Sequence, residues 1–581
     1  MNCIHHGGGL TRKGFIGGMA AFGASPVLAI PDSGRIARIG LITDTHVGTT
    51  LASCERVRAA LELFKAKGVE MVVNCGDIAD RHYPDGYRFY RQTVNEVYPD
   101  AASRPKEVFV YAGHDLIDHE KYVGRKDPVA GYANVRKLLE IPNPPACDLV
   151  WKGLPFVVCT QNTGGSGFPS WKDYEATVER VCAANPGKPV FVCDHLPPAG
   201  TTFHSWHWGS ANCRRILNRF PQVVSLSGHV HGSLVCERQI WQGEFTAVNI
   251  GCLQTWGGFA PGSTPPPQAK QNYGALVMDV YRDRLVFFRH DVRDGSECGA
   301  PWVVPLPFAA AEAPYAPVRA EKRFPVLPRF AAGAAVVVKP EGANGYAVEF
   351  PEATVGPHAF AYRIRCACKN ADGSWRNFTH DEIFSEFWKR RTERTGKARH
   401  VLSTGFFTPG ETYRVSVAPV DFFYRETAAI ETMFTASHQA GSLIWKIADP
   451  SKELRFTEYG KPVATDADGV IAPPSGQGTL WLPKGSFAGL KGGSRHQLII
   501  DIDADQPGGD WCAWRLKLRP TTVYRSVVEV QTATGRPGTL RYVMSFTPPK
   551  DGSLAESCNI IFDYVSRGAR FRVAGLQLLR G

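Results

Sequence analysis

Residues 37–46 read ARIGLITDTH, and this pattern decides the fold of the first part of the chain. The apolar run over 37–43 predicts a buried β-strand, and the side chains of Asp44 and His46 follow it directly. In layered α/β folds, ligands bind beyond the carboxyl ends of the strands. We therefore expect Asp44 and His46 to lie at a sheet edge where other polar turns converge.

The same arrangement recurs along the next two hundred residues. Further strand candidates cover 70–75, 107–111, 189–193 and 223–227, and residues 52–67 show the apolar spacing of a helix. Short apolar strands with helices between them predict a layered α/β domain over residues 36–300. The polar motifs that follow the strand candidates are Gly76-Asp77, His114-Asp115, Asp194-His195 and Gly228-His229-Val230-His231.

These motifs carry the side chains of a divalent-metal site. Carboxylates and imidazoles suit ions such as Mn, Fe or Zn, and no cysteine is needed. The Asp-x-His and His-x-His pairs place two donors on alternate positions of an extended turn. A carboxylate from a separate strand can bridge two ions about 3.5–4 Å apart, which is the spacing of two-metal hydrolases.

In this order, the motifs resemble the pattern of the calcineurin-like metallophosphoesterase family: Asp-x-His, Gly-Asp, Gly-Asn-His-Asp/Glu, His and Gly-His-x-His. The resemblance covers about residues 36–295. It implies a four-layer α/β/β/α sandwich and a hydrolase that cleaves phosphomonoesters or phosphodiesters with two divalent ions, Mn, Fe or Zn. Carried over residue by residue, it implies the ligands Asp44, His46 and His231 for the first ion, Asp77 as the bridge, and His195 and His229 for the second.

The resemblance also implies roles in the reaction. Two bound cations would supply hydroxide near neutral pH for in-line attack on the phosphorus. His114 would protonate the departing alkoxide, and Asp115 would orient its imidazole. Arg81, in the run Gly76-Asp77-Ile78-Ala79-Asp80-Arg81, is similar to the phosphate-gripping Arg of the protein phosphatases in the same superfamily. The alternative for Arg81 is a surface ion pair with Asp80 or Asp85.

One position departs from the family pattern. The metal-binding Asn of the family falls at Gly113, which has no side chain to offer. The second ion therefore lacks one ligand unless water or another residue replaces it. This gap sustains an alternative hypothesis, a catalytically weak binding protein whose β-rich half engages a glycan or a protein partner.

After about residue 300 the chain becomes rich in short strand candidates. Residues 300–330 are predicted to form a linker. Residues 331–437 contain a Pro-Gly-x-x-Tyr run ending at Tyr413 that resembles the corner of a fibronectin type III β-sandwich. Residues 438–581 resemble the jelly-roll modules attached to carbohydrate-active enzymes. There Trp511 and Trp514 are either a sugar-stacking platform or core aromatics.

The N-terminus indicates export. Residues 1–33 combine Arg12-Lys13 with a short apolar stretch of small residues, like a bacterial twin-arginine signal with Lys at the second Arg position. We expect a periplasmic or extracellular protein, with the cytoplasm as the alternative. No later stretch has 18 consecutive apolar residues, so no transmembrane helix is predicted after the signal.

The charge and the cysteines add two expectations. The formal net charge is +11, but the basic residues are dispersed, so no specific nucleic-acid binding is expected. A phosphorylated substrate is what the resemblance implies. The 15 cysteines include no Cys-x-x-Cys pair, and several lie in apolar strand candidates. A disulfide framework is therefore not expected.

Overall fold

The structure is a computed structural model, and it describes most of the chain after the predicted signal. The signal interpretation falls on residues 1–33, all but the last of which lie outside the described residues. The description covers 33–580 except for 81–83, 112, 117–127, 141–142, 145, 161–167, 169, 255–272, 311–312, 342–344, 370–371, 390–393, 404–406, 408, 438–441, 474–477, 491–492, 505–514, 521–527, 532–537, 549–557 and 564–569.

The first part of the described chain alternates strands and helices, as its apolar pattern predicts. The strands are β1 (Ala37–Ile42), β2 (Met71–Asn74), β3 (Lys106–Phe109), β4 (Ala146–Trp151), β5 (Leu154–Cys159), β6 (Val190–Asp194), β7 (Val223–Ser227), β8 (Ile240–Gln242), β9 (Thr246–Asn249), β10 (Gly274–Val280), β11 (Arg284–Asp291) and β12 (Trp302–Pro305). The helices are α1 (Glu55–Lys67), α2 (Pro84–Val97), α3 (Gly113–Leu116), α4 (Pro128–Leu139), α5 (Trp171–Ala184), α6 (Ser205–Trp208), α7 (Ala211–Leu217) and α8 (Ala320–Arg323).

These strands form two six-stranded sheets. The first has the order β12-β11-β10-β1-β2-β3, and the second has the order β4-β5-β6-β7-β9-β8. Strands β1, β2 and β3 pair in parallel, as do β5, β6, β7 and β9. Side chains from both sheets, such as Leu41 of β1 and Phe191 of β6, belong to one buried apolar core.

Helices cover the other side of each sheet. Helices α1, α2 and α4 share a second buried core with the first sheet, and α5 and α7 share a third with the second sheet. The fit is close at Gly40 of β1, where an added Cβ would lie 2.7 Å from the ring of Phe64 in α1. Helix α1 ends at Gly68, which takes the left-handed conformation (φ 67°) that favours glycine.

The second part of the described chain is built almost entirely from strands. They are β13 (Val337–Glu341), β14 (Gly345–Pro351), β15 (Ala361–Lys369), β16 (Trp375–Phe384), β17 (Lys397–Ser403), β18 (Thr412–Val420), β19 (Ile430–Thr435), β20 (Ser442–Ile447), β21 (Arg455–Glu458), β22 (Lys461–Pro462), β23 (Gly478–Trp481), β24 (His496–Ala504), β25 (Arg515–Pro520), β26 (Val528–Gln531), β27 (Gly538–Phe546), β28 (Cys558–Asp563) and β29 (Phe571–Arg580), with one short helix, α9 (Pro450–Glu453).

Four sheets account for these strands. The orders β13-β14-β17 and β16-β15-β18-β19 share one buried core, in which Tyr413 lies near the start of β18. The orders β20-β29-β24-β27 and β22-β21-β23-β28-β25-β26 share another. The β-rich character expected after residue 300 is present, whereas the fibronectin and jelly-roll interpretations stay predictions. Trp511 and Trp514 lie outside the described residues.

Two further observations concern membranes and disulfides. In the part of the chain that the structure describes, every helix is too short or too polar to span a bilayer. All cysteines described there are free thiols, most of them buried.

Candidate metal centre

The predicted ligands follow the parallel strands of both sheets. Asp44 comes two residues after β1, Asp77 three residues after β2, His195 directly after β6, and His229 two residues after β7. Backbone hydrogen bonds join the turns: the Asp44 N–H donates to the Gly76 carbonyl at 2.9 Å, and the Gly228 N–H donates to the His195 carbonyl at 2.9 Å. Turns from distant parts of the sequence are thereby fixed against one another.

The backbone at these turns is strained. A positive φ costs a non-glycine residue about 1 kcal/mol or more, so it persists only where the surrounding structure holds it. Such strain is concentrated at functional sites, which makes its repetition here informative. The positive φ angles at predicted ligands are Asp44 (50°), His46 (40°), Asp77 (50°), His229 (68°) and His231 (48°).

The first donor group consists of Asp44, His46, Asp77 and His231, whose ligand atoms all lie within 4.8 Å of one another. Asp44 Oδ1 is 2.9 Å from His231 Nε2, and His46 Nε2 is 3.7 Å from Asp77 Oδ2. The other carboxylate oxygen of Asp44 accepts hydrogen bonds from the Thr43 hydroxyl and the His229 N–H. Those bonds orient the carboxylate so that Oδ1 faces the imidazoles.

The second donor group consists of Asp77, His195 and His229. His195 Nδ1 lies 2.8 Å from the Cys75 carbonyl, which can only accept, so Nδ1 carries a proton and donates it. In the neutral ring this leaves the lone pair on Nε2, which is buried, makes no hydrogen bond with the described residues, and lies 3.2 Å from Asp77 Oδ2. A lone pair facing a carboxylate calls for a cation between them, either a proton or a metal ion.

The protonation of the group shows the same demand for positive charge. Burial favours the neutral form of His195, but the carboxylates of Asp77 and Asp44 outweigh it and raise the pKa of His195 to about 9. Burial, together with the charge on His195, lowers the pKa of His229 to about 4. A metal ion entering this group at neutral pH must therefore displace a proton from His195, whereas His229 already offers a free nitrogen. Metal binding here strengthens as the pH rises toward 9.

His114 lies on the solvent side of the cluster. Its backbone N–H donates to Asp77 Oδ1 at 3.1 Å, and its ring centroid is 4.7 Å from that of His46. Its Nδ1 is 3.2 Å from Asp80 Oδ1, and both side chains are about two-fifths exposed. The structure therefore brings His114 to the open face of the centre, with Asp80 as its partner.

Asp115 has different contacts from those that the sequence analysis expected. Its carboxylate is buried and accepts hydrogen bonds from the Ile78 and Ala79 N–H groups and from the Tyr87 hydroxyl. These bonds fix the turn after Asp77. The partner of the His114 ring is Asp80, which the sequence analysis considered only beside Arg81. The spacing Asp77-x-x-Asp80 is the signal that could have indicated it.

Gly113 opens α3 at the position where the family pattern has its Asn. Among the described residues, no atom lies within 4 Å of a Cβ added there, so these residues leave room for a side chain. Among the described residues, the second donor group contains three donors and the first contains four. Arg81 lies outside the described residues, and its proposed contact with phosphate stays a prediction.

Comparison with known proteins agrees with this geometry. The family model described as calcineurin-like phosphoesterase matches residues 37–233, which confirms the domain expected in the N-terminal half. This match, together with the buried His and Asp cluster, supports a metal-dependent phosphoester hydrolase as the general class. No curated protein matches the chain in sequence.

Several solved structures match part of the chain. A dimetal phosphatase from Danio rerio is 11% identical, with 47% of this chain and 99% of that chain covered and a TM-score of 0.32. A predicted phosphoesterase from Streptococcus pneumoniae is 11% identical, with coverage of 46% and 97% and a TM-score of 0.22. Vacuolar Protein Sorting 29 from Cryptosporidium parvum is 12% identical, with coverage of 46% and 97% and a TM-score of 0.24.

Proposed function

We propose that this protein is a dinuclear-metal phosphoesterase whose centre is built from Asp44, His46, Asp77, His195, His229 and His231. The observation that carries the proposal is the convergence of two donor groups that share the carboxylate of Asp77. Buried carboxylates beside imidazole nitrogens fit divalent ions such as Mn, Fe or Zn. When bound, such ions supply activated water and neutralise the charge on phosphate oxygens.

The protein groups around the ions have separate tasks. The Cys75 carbonyl holds the tautomer of His195, so that Nε2 faces the centre. The His229 N–H and the Thr43 hydroxyl hold the Asp44 carboxylate in place. Asp77 belongs to both donor groups, and its carboxylate also accepts a hydrogen bond from the backbone N–H of His114. The Asp77 carboxylate thereby fixes the position of His114, the proposed proton donor, relative to both donor groups.

His114 is the proposed general acid. Asp80 accepts a hydrogen bond from Nδ1, which orients the imidazole and leaves Nε2 to give a proton to the departing alkoxide. Such proton transfer contributes about 10²–10⁴-fold to the rate. Asp115 acts indirectly. Its carboxylate accepts a hydrogen bond from the Ile78 N–H and so fixes the turn that carries Asp77.

The remaining predictions extend this proposal. We propose that the two sheets and their covering helices form four layers, and that residues 331–437 and 438–581 form fibronectin type III-like and jelly-roll-like sandwiches. The shared cores support this arrangement. A glycan partner for the last region and export by the residue 1–33 signal stand as proposals on sequence alone.

A hydrolysis assay tests the function. The purified chain, loaded with Mn²⁺ or Zn²⁺, is expected to hydrolyse p-nitrophenyl phosphate or bis-p-nitrophenyl phosphate. Asp77→Ala is expected to reduce hydrolysis to the level of buffer. Asp283→Ala is the matched control, because it removes an exposed carboxylate in a turn of the same domain. Full activity of Asp77→Ala would overturn the assignment.

Metal analysis separates this function from the alternative binding protein. A chain that takes up fewer than two ions at saturating metal and hydrolyses no phosphoester would favour the binding protein. The observation behind that alternative is Gly113, where the second group lacks a donor.

A further inference from the structure

Trp208 is a large aromatic side chain that remains 40% exposed beside the candidate centre. Its ring centroid lies 5.7 Å from that of His229, with the two planes nearly perpendicular. Tryptophan is usually largely buried, so an exposed indole at the rim of a polar cluster is informative. It places a flat apolar surface next to His229, one of the proposed metal ligands.

The backbone that carries Trp208 is closely braced. Within the turn, the Thr201 N–H donates to Ser205 Oγ at 2.8 Å, and the Trp208 N–H donates to the His204 carbonyl at 3.1 Å. Gly209 follows directly, and an added Cβ there would lie 2.2 Å from the Ser205 carbonyl oxygen. The backbone that carries Trp208 therefore has little room to move.

Residues of the β-rich half of the chain pack against the segment that carries Trp208. Phe203 packs edge-on against Phe360, which precedes β15, with ring centroids 5.4 Å apart. The guanidinium of Arg238 lies 4.9 Å from the ring of Tyr424 and 5.4 Å from that of Trp206. Phe203 and Trp206 are thus packed between the two halves of the chain, and Trp208 is the aromatic residue of the segment that stays exposed.

We propose that Trp208 is a specificity-determining residue that contacts the leaving group and favours phosphoesters bearing an aromatic ring. This inference rests on the proposed phosphoesterase function. Aromatic rings pair in offset-stacked or edge-to-face geometry, and the indole offers both faces and an edge beyond its contact with His229. The stabilisation expected of one such pair corresponds to about 10-fold in affinity. Esters of small aliphatic alcohols have nothing to place against the ring.

Two phosphonates that cannot be hydrolysed test the inference by binding. Phenylphosphonate and methylphosphonate carry the same anionic group and differ in the ring. We expect the metal-loaded full chain to bind phenylphosphonate about 10-fold more tightly than methylphosphonate in isothermal titration calorimetry. In Trp208→Ala we expect the affinity for phenylphosphonate to fall to that for methylphosphonate. The affinity for methylphosphonate should stay unchanged. Trp208→Phe should keep most of the preference, because phenylalanine retains an aromatic face.

Trp151→Ala is the matched control. Trp151 is the last residue of β4 and lies at the end of its sheet opposite to the ligand-bearing turns. Its replacement by alanine should leave both affinities unchanged. A preference that survives in Trp208→Ala, or a wild-type chain that binds both phosphonates equally, overturns the inference. In either case, metal-dependent binding with hydrolysis of p-nitrophenyl phosphate leaves the proposed function standing. If the loaded chain binds neither phosphonate and hydrolyses no ester, the function and the inference both fall.

Discussion

The two donor groups of the candidate centre share Asp77 but differ in what else they contain. The first adds Asp44, His46 and His231, so four side chains surround one position. The second adds His195 and His229, and the place of the missing donor is Gly113. Two sites assembled on the same strand ends can therefore be expected to hold their ions with different strength.

The comparison shows that ligand supply, rather than burial, separates the two groups. His195 is as deeply buried as Asp44, His46 and Asp77 of the first group. Its Nδ1 donates a hydrogen bond to the Cys75 carbonyl, which fixes the ring. The second group has one side-chain donor fewer, and the described residues around Gly113 leave space for a side chain. The difference between the two groups can therefore be tested by substitution at this one position.

The largest effect should come from removing one imidazole from each group in turn. We expect His231→Ala and His229→Ala both to lose hydrolysis, while their metal content differs after dialysis at low free Zn²⁺. His229→Ala should keep about one ion per chain in the intact four-donor group, and His231→Ala should retain less. Elemental analysis of the dialysed proteins measures this difference.

His400→Ala supplies the control for that pair. His400 forms a close imidazole–carboxylate pair with Asp381 in the β-rich half, with His400 Nε2 2.7 Å from Asp381 Oδ2. Its loss should leave metal content and hydrolysis unchanged. Equal metal content in His231→Ala and His229→Ala would contradict the ranking of the two groups.

A smaller effect is expected at the open face of the centre, where Asp80 and His114 lie next to the first group. Asp80→Asn should lower kcat by about 10–10²-fold without changing metal content, because it removes the carboxylate that orients the His114 ring for proton donation. The loss should grow as the leaving alcohol becomes more basic, since such esters depend more on proton donation. Steady-state kinetics with a series of aryl and alkyl phosphates measures this dependence.

Asp85→Asn is the control for Asp80, because Asp85 is an exposed carboxylate in the following helix, paired with Arg88. A uniform loss across all leaving groups would argue that Asp80 supports the fold of the turn and does not assist proton transfer.

The smallest effect, and the most direct test of the comparison, is Gly113→Asn. The side chain has open space, and we expect it to tighten the second ion by about 10-fold. Gly113→Ala, which adds a Cβ without a donor, should leave that affinity unchanged. Titration of the metal-free protein with Mn²⁺, followed by calorimetry, resolves the two binding steps. An unchanged second step in Gly113→Asn would mean that another donor already fills the position.

The strands that carry the centre were predictable from the sequence because their sequences are continuous apolar runs. Residues 37–43 and 223–227 correspond to β1 and β7, and the helical spacing over 52–67 corresponds to α1 and the short turn before it. Strands buried on both faces give this signal without ambiguity. The bounds of β7 are those predicted, and the bounds of the other predicted strands differ by at most two residues at either end, since strand ends depend on pairing partners that the local sequence does not show.

The environment of the predicted ligands was less accessible to sequence reasoning. The partner of the His114 ring is decided by the turn after Asp77, which places Asp80 against Nδ1 and turns Asp115 inward to backbone N–H groups. The segment around Trp208 contains several aromatic residues, and the local sequence does not show which of them are buried. The structure divides it, because Phe203 and Trp206 pack against the β-rich half while Trp208 stays exposed near His229.

By itself, the sequence determined which side chains are available to bind metal, in what order they follow the strands, and that Gly113 offers none. Those properties are local, because each motif is contiguous and an apolar run in the sequence predicts each strand. Only the tertiary structure decided the distances between the donors around Asp77, which carboxylate faces His114, and which Trp reaches the rim. These outcomes depend on turns from distant strands meeting at one edge, and distances across a sheet are set by strand order and packing.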